Sequence, residues 1–225
     1  MSTSPIQLEI VSDIVCPWCY IGKRRMEAAL ALFAASHPDQ PKPQVSWLPF
    51  QLNPDMPQAG MSRADYLQRK FGTSDGGGVY ERVRGEGKKE GLDFNFSAIQ
   101  RQPNTLRAHA LLAAALQADE TAALQAQLKE AFMKAYFCEG ADLTQDATLL
   151  KIATEAGMPA EAANAVLTNT AAHEEAAAQD AELRRIGISG VPFFILNRKF
   201  GVSGAQPPEA LLAAIEQALS TTTPN

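Results

Sequence analysis

Apolar positions along the chain change their period twice, and the changes divide it into three stretches. Ile6, Leu8, Ile10 and Val11 form a short apolar run with partial alternation, the pattern of a strand. The run stops at Ser12-Asp13. Pro17 then suits a first helical position, where its missing N–H costs nothing, and Ile21, Met26, Ala29, Leu30, Leu32 and Phe33 recur at helical spacing. His37-Pro38 and the Pro41 to Pro43 stretch end that helix, and Val45, Trp47, Leu48 and Phe50 predict a second strand. The opening therefore reads β-α-β, a unit whose parallel strands are joined by a right-handed crossover.

From residue 54 to residue 186 the period is helical almost throughout. Segments near 62–72, 76–90, 104–118, 120–137, 144–156 and 159–169 are rich in helix formers, with start signals at Asn104, Thr144 and Pro159. Gly76-Gly77-Gly78 is expected to be flexible backbone and not a phosphate loop, since no strand precedes it and no Gly-Lys-Ser/Thr follows. The Ala-rich stretches at 110–127 and 171–181 keep helical spacing and read as plain helix. A helix from about Thr170 is expected to carry Glu174 and Glu175 in its first turn and Arg184 and Arg185 in its last, matching its dipole, with Gly187 as the C′ residue.

Strand character returns from Val191 to Leu196, and Asn197-Arg198-Lys199 makes a tight connection to Phe200–Ser203, so a hairpin is predicted. A final amphipathic helix carries Leu211, Leu212, Ile215 and Leu219, and the tail from Thr221 to Asn225 is expected to fray. The fold class is α/β, in three parts: 1–53, 54–186 as a helical insertion, and 187–225.

Composition narrows the function. The net charge of −5, with no basic cluster larger than Lys23-Arg24-Arg25 or Lys88-Lys89, argues against nucleic acid or an anionic membrane as the main partner. No run of apolar residues is long enough to span a bilayer. The opening MSTSPIQLEI has neither a basic n-region nor an apolar h-region, so a cytoplasmic location is expected.

The 3 cysteines are too few for a disulfide scaffold. Cys16 and Cys19, in Cys16-Pro17-Trp18-Cys19, sit where a strand gives way to a helix. Unpaired N–H groups and the helix dipole favour a thiolate on Cys16, and Cys19 one turn on is placed to resolve a mixed disulfide. Cys19, facing the sheet, is expected to be the more buried. Tetrahedral zinc needs four ligands, and Cys138, His37, His109 and His173 are scattered singly, so no metal is expected.

Four other residues carry two readings each. Asp13 can assist proton transfer or cap the loop after the strand. Trp18 can form a docking surface or pack against the insertion. Cys138 can be a third redox thiol or a small buried hydrophobe, and His109 can face the cleft or serve structure alone. Asn104 is expected to be an N-cap.

These features, together with Gly190-Val191-Pro192-Phe193-Phe194 ahead of the hairpin, resemble the DsbA-like branch of the thioredoxin superfamily, and most nearly its FrnE-type members. The likeness runs through SDIVCPWCYIGKRR (12–25), QPNTLRAHAL (102–111), AYFCEGADL (135–143), GISGVPFFIL (187–196) and SGAQPPEALL (203–212). It implies a thioredoxin fold interrupted by a large all-helical insertion, a catalytic Cys16/Cys19 dithiol, and a cis Val191–Pro192 loop. Pro17, Trp18, Val191 and Pro192 would then meet the substrate. Trp18 stands where periplasmic DsbA proteins carry His, which removes a cation from beside Cys16. The implied activity is thiol–disulfide exchange without a bound cofactor, with protein thiols and disulfides or glutathione as partners. The related kappa-class glutathione transferases and 2-hydroxychromene-2-carboxylate isomerases share the inserted fold and supply a second reading. They use a Ser near the Cys16 position and no resolving cysteine. A binding module without turnover is a third, and it leaves the dithiol without a role.

Overall fold

The computed structural model describes residues 5–75 and 77–221; Gly76 and the tail beyond Thr221 lie outside the described residues. Strand β1 (Gln7–Ser12) leads into helix α1 (Pro17–Ser36) and strand β2 (Gln44–Pro49). β1 and β2 pair in parallel, with Gln7 opposite Gln44 and Ser12 opposite Pro49, as the β-α-β pattern requires. Near the other end of the chain come β5 (Phe193–Leu196), β6 (Phe200–Ser203) and α9 (Pro208–Ser220). β5 lies antiparallel to β1 and to β6, giving the sheet order β2-β1-β5-β6. The turn between β5 and β6 puts Asn197 and Arg198 at φ of 50° and 56°, the primed geometry that matches strand twist.

One face of this sheet is buried by α1 and α9. Ile6, Leu8, Ile10, Met26, Phe33, Phe194, Leu196, Leu211 and Ile215 pack there. Each such side chain contributes about 1.5–3 kcal/mol when fully buried, so this layer and not the short hairpin holds the sheet together. On the other face Val11 and Phe50 meet Leu183 and Ile188.

The insertion contains α2 (Arg63–Phe71), α3 (Gly77–Lys89), α4 (Leu106–Ala118), α5 (Ala123–Phe137), α6 (Asp146–Glu155), α7 (Ala160–Leu167) and α8 (Thr170–Arg185). It also holds a two-residue ladder, β3 (Met61–Ser62) with β4 (Arg101–Gln102), and a 3-10 turn at Phe96–Ala98. The buried Arg63 guanidinium ties that ladder to the helices through Gln102, Tyr80 and Tyr136. The insertion's aromatic core, including Tyr80, Phe94, Phe96, Phe132 and Phe137, also takes in Cys16, Cys19 and Tyr20. The N-terminal end of α1 therefore belongs to both lobes.

Three side-chain contacts lock the insertion onto the sheet layer. The Gln125 side chain of α5 accepts from Trp47 N at 2.9 Å and donates to Trp47 O at 2.9 Å, closing the outer edge of β2 as another strand would. Glu130, one turn further along α5, accepts from Tyr20 at 2.6 Å, Lys23 at 2.6 Å and Arg24 at 2.5 Å, all on α1. Arg25 of α1 reaches Glu86 and Glu90, at the end of α3 and beside it, at 2.8 and 2.6 Å.

Several starts differ from expectation because side chains cap from further out. α4 begins at Leu106 with Thr105 as N-cap, while Asn104 acts one residue earlier, its Oδ1 accepting from Leu106 N at 2.9 Å. α6 begins at Asp146, not Thr144, because Asp142 holds Thr144 in a turn through its N–H at 3.0 Å and hydroxyl at 2.7 Å. In α8, Asn169 caps Ala171 and Ala172, so Glu174 and Glu175 fall beyond the first turn, whereas Arg184 and Arg185 do lie in the last. Gly187 takes φ 97°, as a C′ glycine does. β5 begins at Phe193 and not at Val191.

Candidate active site

Cys16 is the N-cap residue of α1, with φ −98° and ψ 110°, and Pro17 opens the helix. The arrangement follows from local chemistry: the parallel strand β1 ends at Ser12, and Pro17 forbids an upstream helical hydrogen bond. Cys19 N–H donates to Cys16 O at 3.0 Å, which sets the second cysteine one turn along. Cys16 is 4% exposed and Cys19 0%, so the second sulfur is the more buried, as its position predicts. Both are free thiols.

The Val191–Pro192 bond is cis. Val191 O lies 3.8 Å from Cys16 Sγ, and Pro192 O accepts from Gly204 N at 2.8 Å. Pro192 is buried, Val191 half-buried. Gly22 explains how α1 comes so close to this loop: a Cβ at that position would stand 2.8 Å from Pro192 Cγ. Trp18 is half-buried, packed against the insertion's core, with the Arg82 guanidinium 5.8 Å from its ring. Packing against the insertion, one of its two readings, is formed.

Behind Cys19 lies a group of buried polar side chains that sequence reasoning found only in part. Asp13, 1% exposed, accepts from Leu52 N at 2.7 Å and Val15 N at 3.4 Å, so it braces the loops after β1 and β2. His109 on α4, itself buried, brings Nε2 to 3.4 Å from Asp13 Oδ1. The loop reading of Asp13 is therefore the one formed, and the same carboxylate acts electrostatically on Cys16. Lys129 on α5 is 0% exposed, and its Nζ has no hydrogen-bond partner among the described residues; it sits 5.2 Å from the centre of the Trp47 ring. No sequence signal marked Lys129, because Gln127-Leu128-Lys129-Glu130 reads as an ordinary helix surface.

The electrostatics follow from these contacts. Burial pushes the Asp13 carboxyl up, but His109, the Leu52 N–H and Lys129 together hold it below the usual carboxylate value. Burial and neighbouring Lys23 lower Lys129 to about 8 against the pull of Cys19, Asp13 and Cys16. The two thiols titrate as a pair. Burial raises Cys19, yet the hydrogen bond from Cys16 and the charge of Lys129 bring it below the ordinary thiol value. Cys16 is pushed well up by its neighbour Cys19 and by burial. Lys129 on the Cys19 side and the N-terminus of α1 on the Cys16 side both favour ionisation of the pair.

Other candidates fall elsewhere. Cys138 is the C-cap residue of α5, half-buried, with its thiol pushed up by burial and by Asp93 and Glu139. Among the described residues, no three His, Cys, Asp or Glu side chains converge as metal ligands. No described helix is long and apolar enough to cross a membrane. A cavity of about 600 Å³ opens beside Leu52, lined by Asn53, Met56, Met61 and Tyr66 with Arg69 and Lys70.

Comparison with known proteins agrees with this architecture. The family description "DSBA-like thioredoxin domain" matches residues 7–216. A probable DsbA oxidoreductase from Streptomyces coelicolor is 32% identical, with a TM-score of 0.83 over 98% of this chain and 92% of its own. DsbM of Pseudomonas aeruginosa, a cytosolic disulfide reductase solved with GSH, shares the fold at 20% identity and a TM-score of 0.62, over 95% of this chain and 99% of its own. YwbO of Bacillus subtilis is 27% identical over 101 residues, which is 44% of this chain and 42% of YwbO, so that match spans under half of either protein. By fold and by sequence, the chain belongs to the DSBA-like thioredoxin domain family.

Proposed function

We propose that this protein is a thiol–disulfide oxidoreductase in which Cys16 attacks and Cys19 resolves. The observation that carries the reading is the placement of Cys16 at the start of α1, 3.8 Å from Val191 O, with Cys19 buried one turn behind. In the cycle, the Cys16 proton passes to Cys19 and the Cys16 thiolate attacks a disulfide R–S–S–R′. A Cys16–S–S–R bond forms and R′S⁻ leaves, taking up a proton. The Cys19 thiolate then attacks Cys16 Sγ, the bond to R breaks, and RS⁻ leaves. Two electrons pass from the dithiol to the substrate. R′S⁻ takes the one proton of the pair by way of Cys19, RS⁻ takes its proton from solvent, and the reverse sequence oxidises a substrate dithiol.

Pro17, Trp18, Val191 and Pro192 frame the attacked sulfur in this reading, and the backbone beside Pro192 offers an extended substrate a place to pair. Protein thiols and disulfides or glutathione are the proposed partners, in the cytoplasm. Dithiol-driven reduction of insulin by the wild-type protein, lost in Cys16→Ser, supports the reading; unchanged turnover in Cys16→Ser contradicts it. The glutathione-dependent isomerase reading predicts the reverse pattern, conjugation that survives Cys19→Ala with no disulfide chemistry.

A further inference from the structure

We propose that Lys129, carried by α5 of the insertion, is a positioning residue for the dithiol. It holds the negative charge of the reduced pair on Cys19, so the insertion itself sets how readily Cys16 and Cys19 are oxidised. The inference rests on the redox reading above and adds to it a cation from the other lobe.

Beside the Trp47 ring, 5.2 Å away, the Lys129 ammonium has no polar partner among the described residues. It is fully buried, and its Nζ donates to no acceptor among the described residues. A buried ammonium without partners is costly, and such a group is retained where a charge elsewhere in its surroundings balances it. Glu130 is not that partner, since Tyr20, Lys23 and Arg24 already occupy its carboxylate. The neighbours on either side fix where Lys129 points. Gln125 pins α5 to Trp47 of β2, and Glu130 pins it to α1 one turn beyond Cys19. The charged and titratable groups that act on it electrostatically are Asp13 from the loop after β1, and Cys16, Cys19 and Lys23 from α1. His109 on α4 touches the same Asp13. Lys23 is itself committed to Glu27 and Glu130, at 2.5 and 2.6 Å. The anions left to Lys129 are Asp13 and the reduced sulfur pair.

Only one of those anions changes with redox state. Forming the Cys16–Cys19 disulfide removes the thiolate and leaves Lys129 facing Asp13 alone. The cation therefore favours the reduced state, and its removal makes the disulfide easier to form. Asp13 faces the same sulfurs with the opposite sign, so its neutralisation works the other way.

The test is equilibration of wild type, Lys129→Met and Asp13→Asn with glutathione, together with titration of thiolate absorbance at 240 nm. For Lys129→Met the equilibrium is expected to shift about tenfold toward the disulfide, which is about 30 mV more negative. Its thiolate should appear at higher pH. For Asp13→Asn, which keeps an acceptor for Leu52 N, both shifts are expected in the opposite direction. Methionine replaces an ammonium that donates to nothing, so the folded protein should tolerate it. If Lys129→Met does not fold, Lys129→Gln decides: a shift toward the disulfide supports the proposal, and an unchanged potential overturns it. Equal potentials and equal thiolate titrations for wild type and folded Lys129→Met also overturn it. A wild-type protein that never forms the disulfide sinks the redox reading, and the thiolate titration still decides the role of Lys129.

Discussion

Cys16 Sγ lies 3.8 Å from the carbonyl oxygen of Val191, a residue 175 positions away in sequence. That contact joins the N-terminus of α1 to the loop before β5, and in the proposed mechanism Cys16, not Cys19, is the sulfur that an incoming disulfide meets. Replacing Cys16 with Ser should therefore abolish disulfide exchange, by roughly a thousandfold or more given the loss of the nucleophile. Cys19→Ala should keep the first step and lose the second. Mass spectrometry after incubation with oxidised glutathione should then show a stable adduct on Cys16.

Gly22 keeps α1 close to the Val191–Pro192 loop. Ala in a helix normally gains up to about 1 kcal/mol over Gly. Here the added Cβ would stand 2.8 Å from Pro192 Cγ and 3.4 Å from Phe194 Cζ. Crowding of this kind costs about 1–3 kcal/mol, so it outweighs the helix gain. Gly22→Ala should lower the thermal midpoint and reduce turnover together, as read by calorimetry and by insulin reduction.

Gln125 is a buried side chain that stands in for a strand at the edge of β2. Besides its two bonds to Trp47, it donates to Leu112 O at 3.2 Å. Gln125→Leu leaves Trp47 N and O buried without partners, at about 1–3 kcal/mol each. A total near 3 kcal/mol corresponds to a fall in Tm of roughly 6–12 °C for a chain of this size.

Acid should weaken the contact between α5 and α1. Burial raises Glu130, but Arg24, Lys23 and Tyr20 bring its carboxyl down to about 2 from an ordinary 4.5. A carboxylate with a depressed folded pKa stabilises the native state above its unfolded value and loses that contribution as pH falls through the folded one. The loss therefore spans pH 4.5 to about 2, and discounted for partial exposure it is on the order of 1–2 kcal/mol. Urea unfolding should show this slope in wild type and a flatter one in Glu130→Gln. Asp13, also held below its ordinary value, contributes in the same direction.

Trp18 occupies the position between the cysteines that a cation would use to stabilise a thiolate. Trp18→His should favour the reduced form and raise the potential, by about 30 mV for each tenfold shift in equilibrium. It also breaks the stacking of Arg82 on the ring, 5.8 Å away, so a modest loss of stability should accompany the shift.

The parts of the site written in contiguous sequence were legible. A strand ending at Ser12, Pro17 at a helix start and two cysteines one turn apart state the motif locally, and short-range sterics enforce it. Val191 and Pro192 were legible only through the likeness of GISGVPFFIL to a known pattern, since nothing in five residues says which sulfur they will face. Lys129 and Gln125 were not legible at all. Each lies in a stretch of strong helix formers whose polar residues are solvated in most helices, and each is buried here only because α5 lands on β2 and on the dithiol end of α1. His109 shows the middle case: its helix was predicted, but its meeting with Asp13 depends on how α4 crosses the loop after β1. Misplaced helix starts at Asn104 and Thr144 have a different cause, because Asx turns move the cap by one or two residues without altering the apolar spacing.

The most direct test of the dithiol is to poise the protein across a range of reduced to oxidised glutathione, quench by alkylation, and map the modified cysteines by mass. In the proposed mechanism Cys16 and Cys19 lose alkylation together in a single two-electron transition, with an intramolecular disulfide linking them and Cys138 alkylated throughout. Alkylation of both Cys16 and Cys19 at every ratio, or a disulfide that instead involves Cys138, would contradict it.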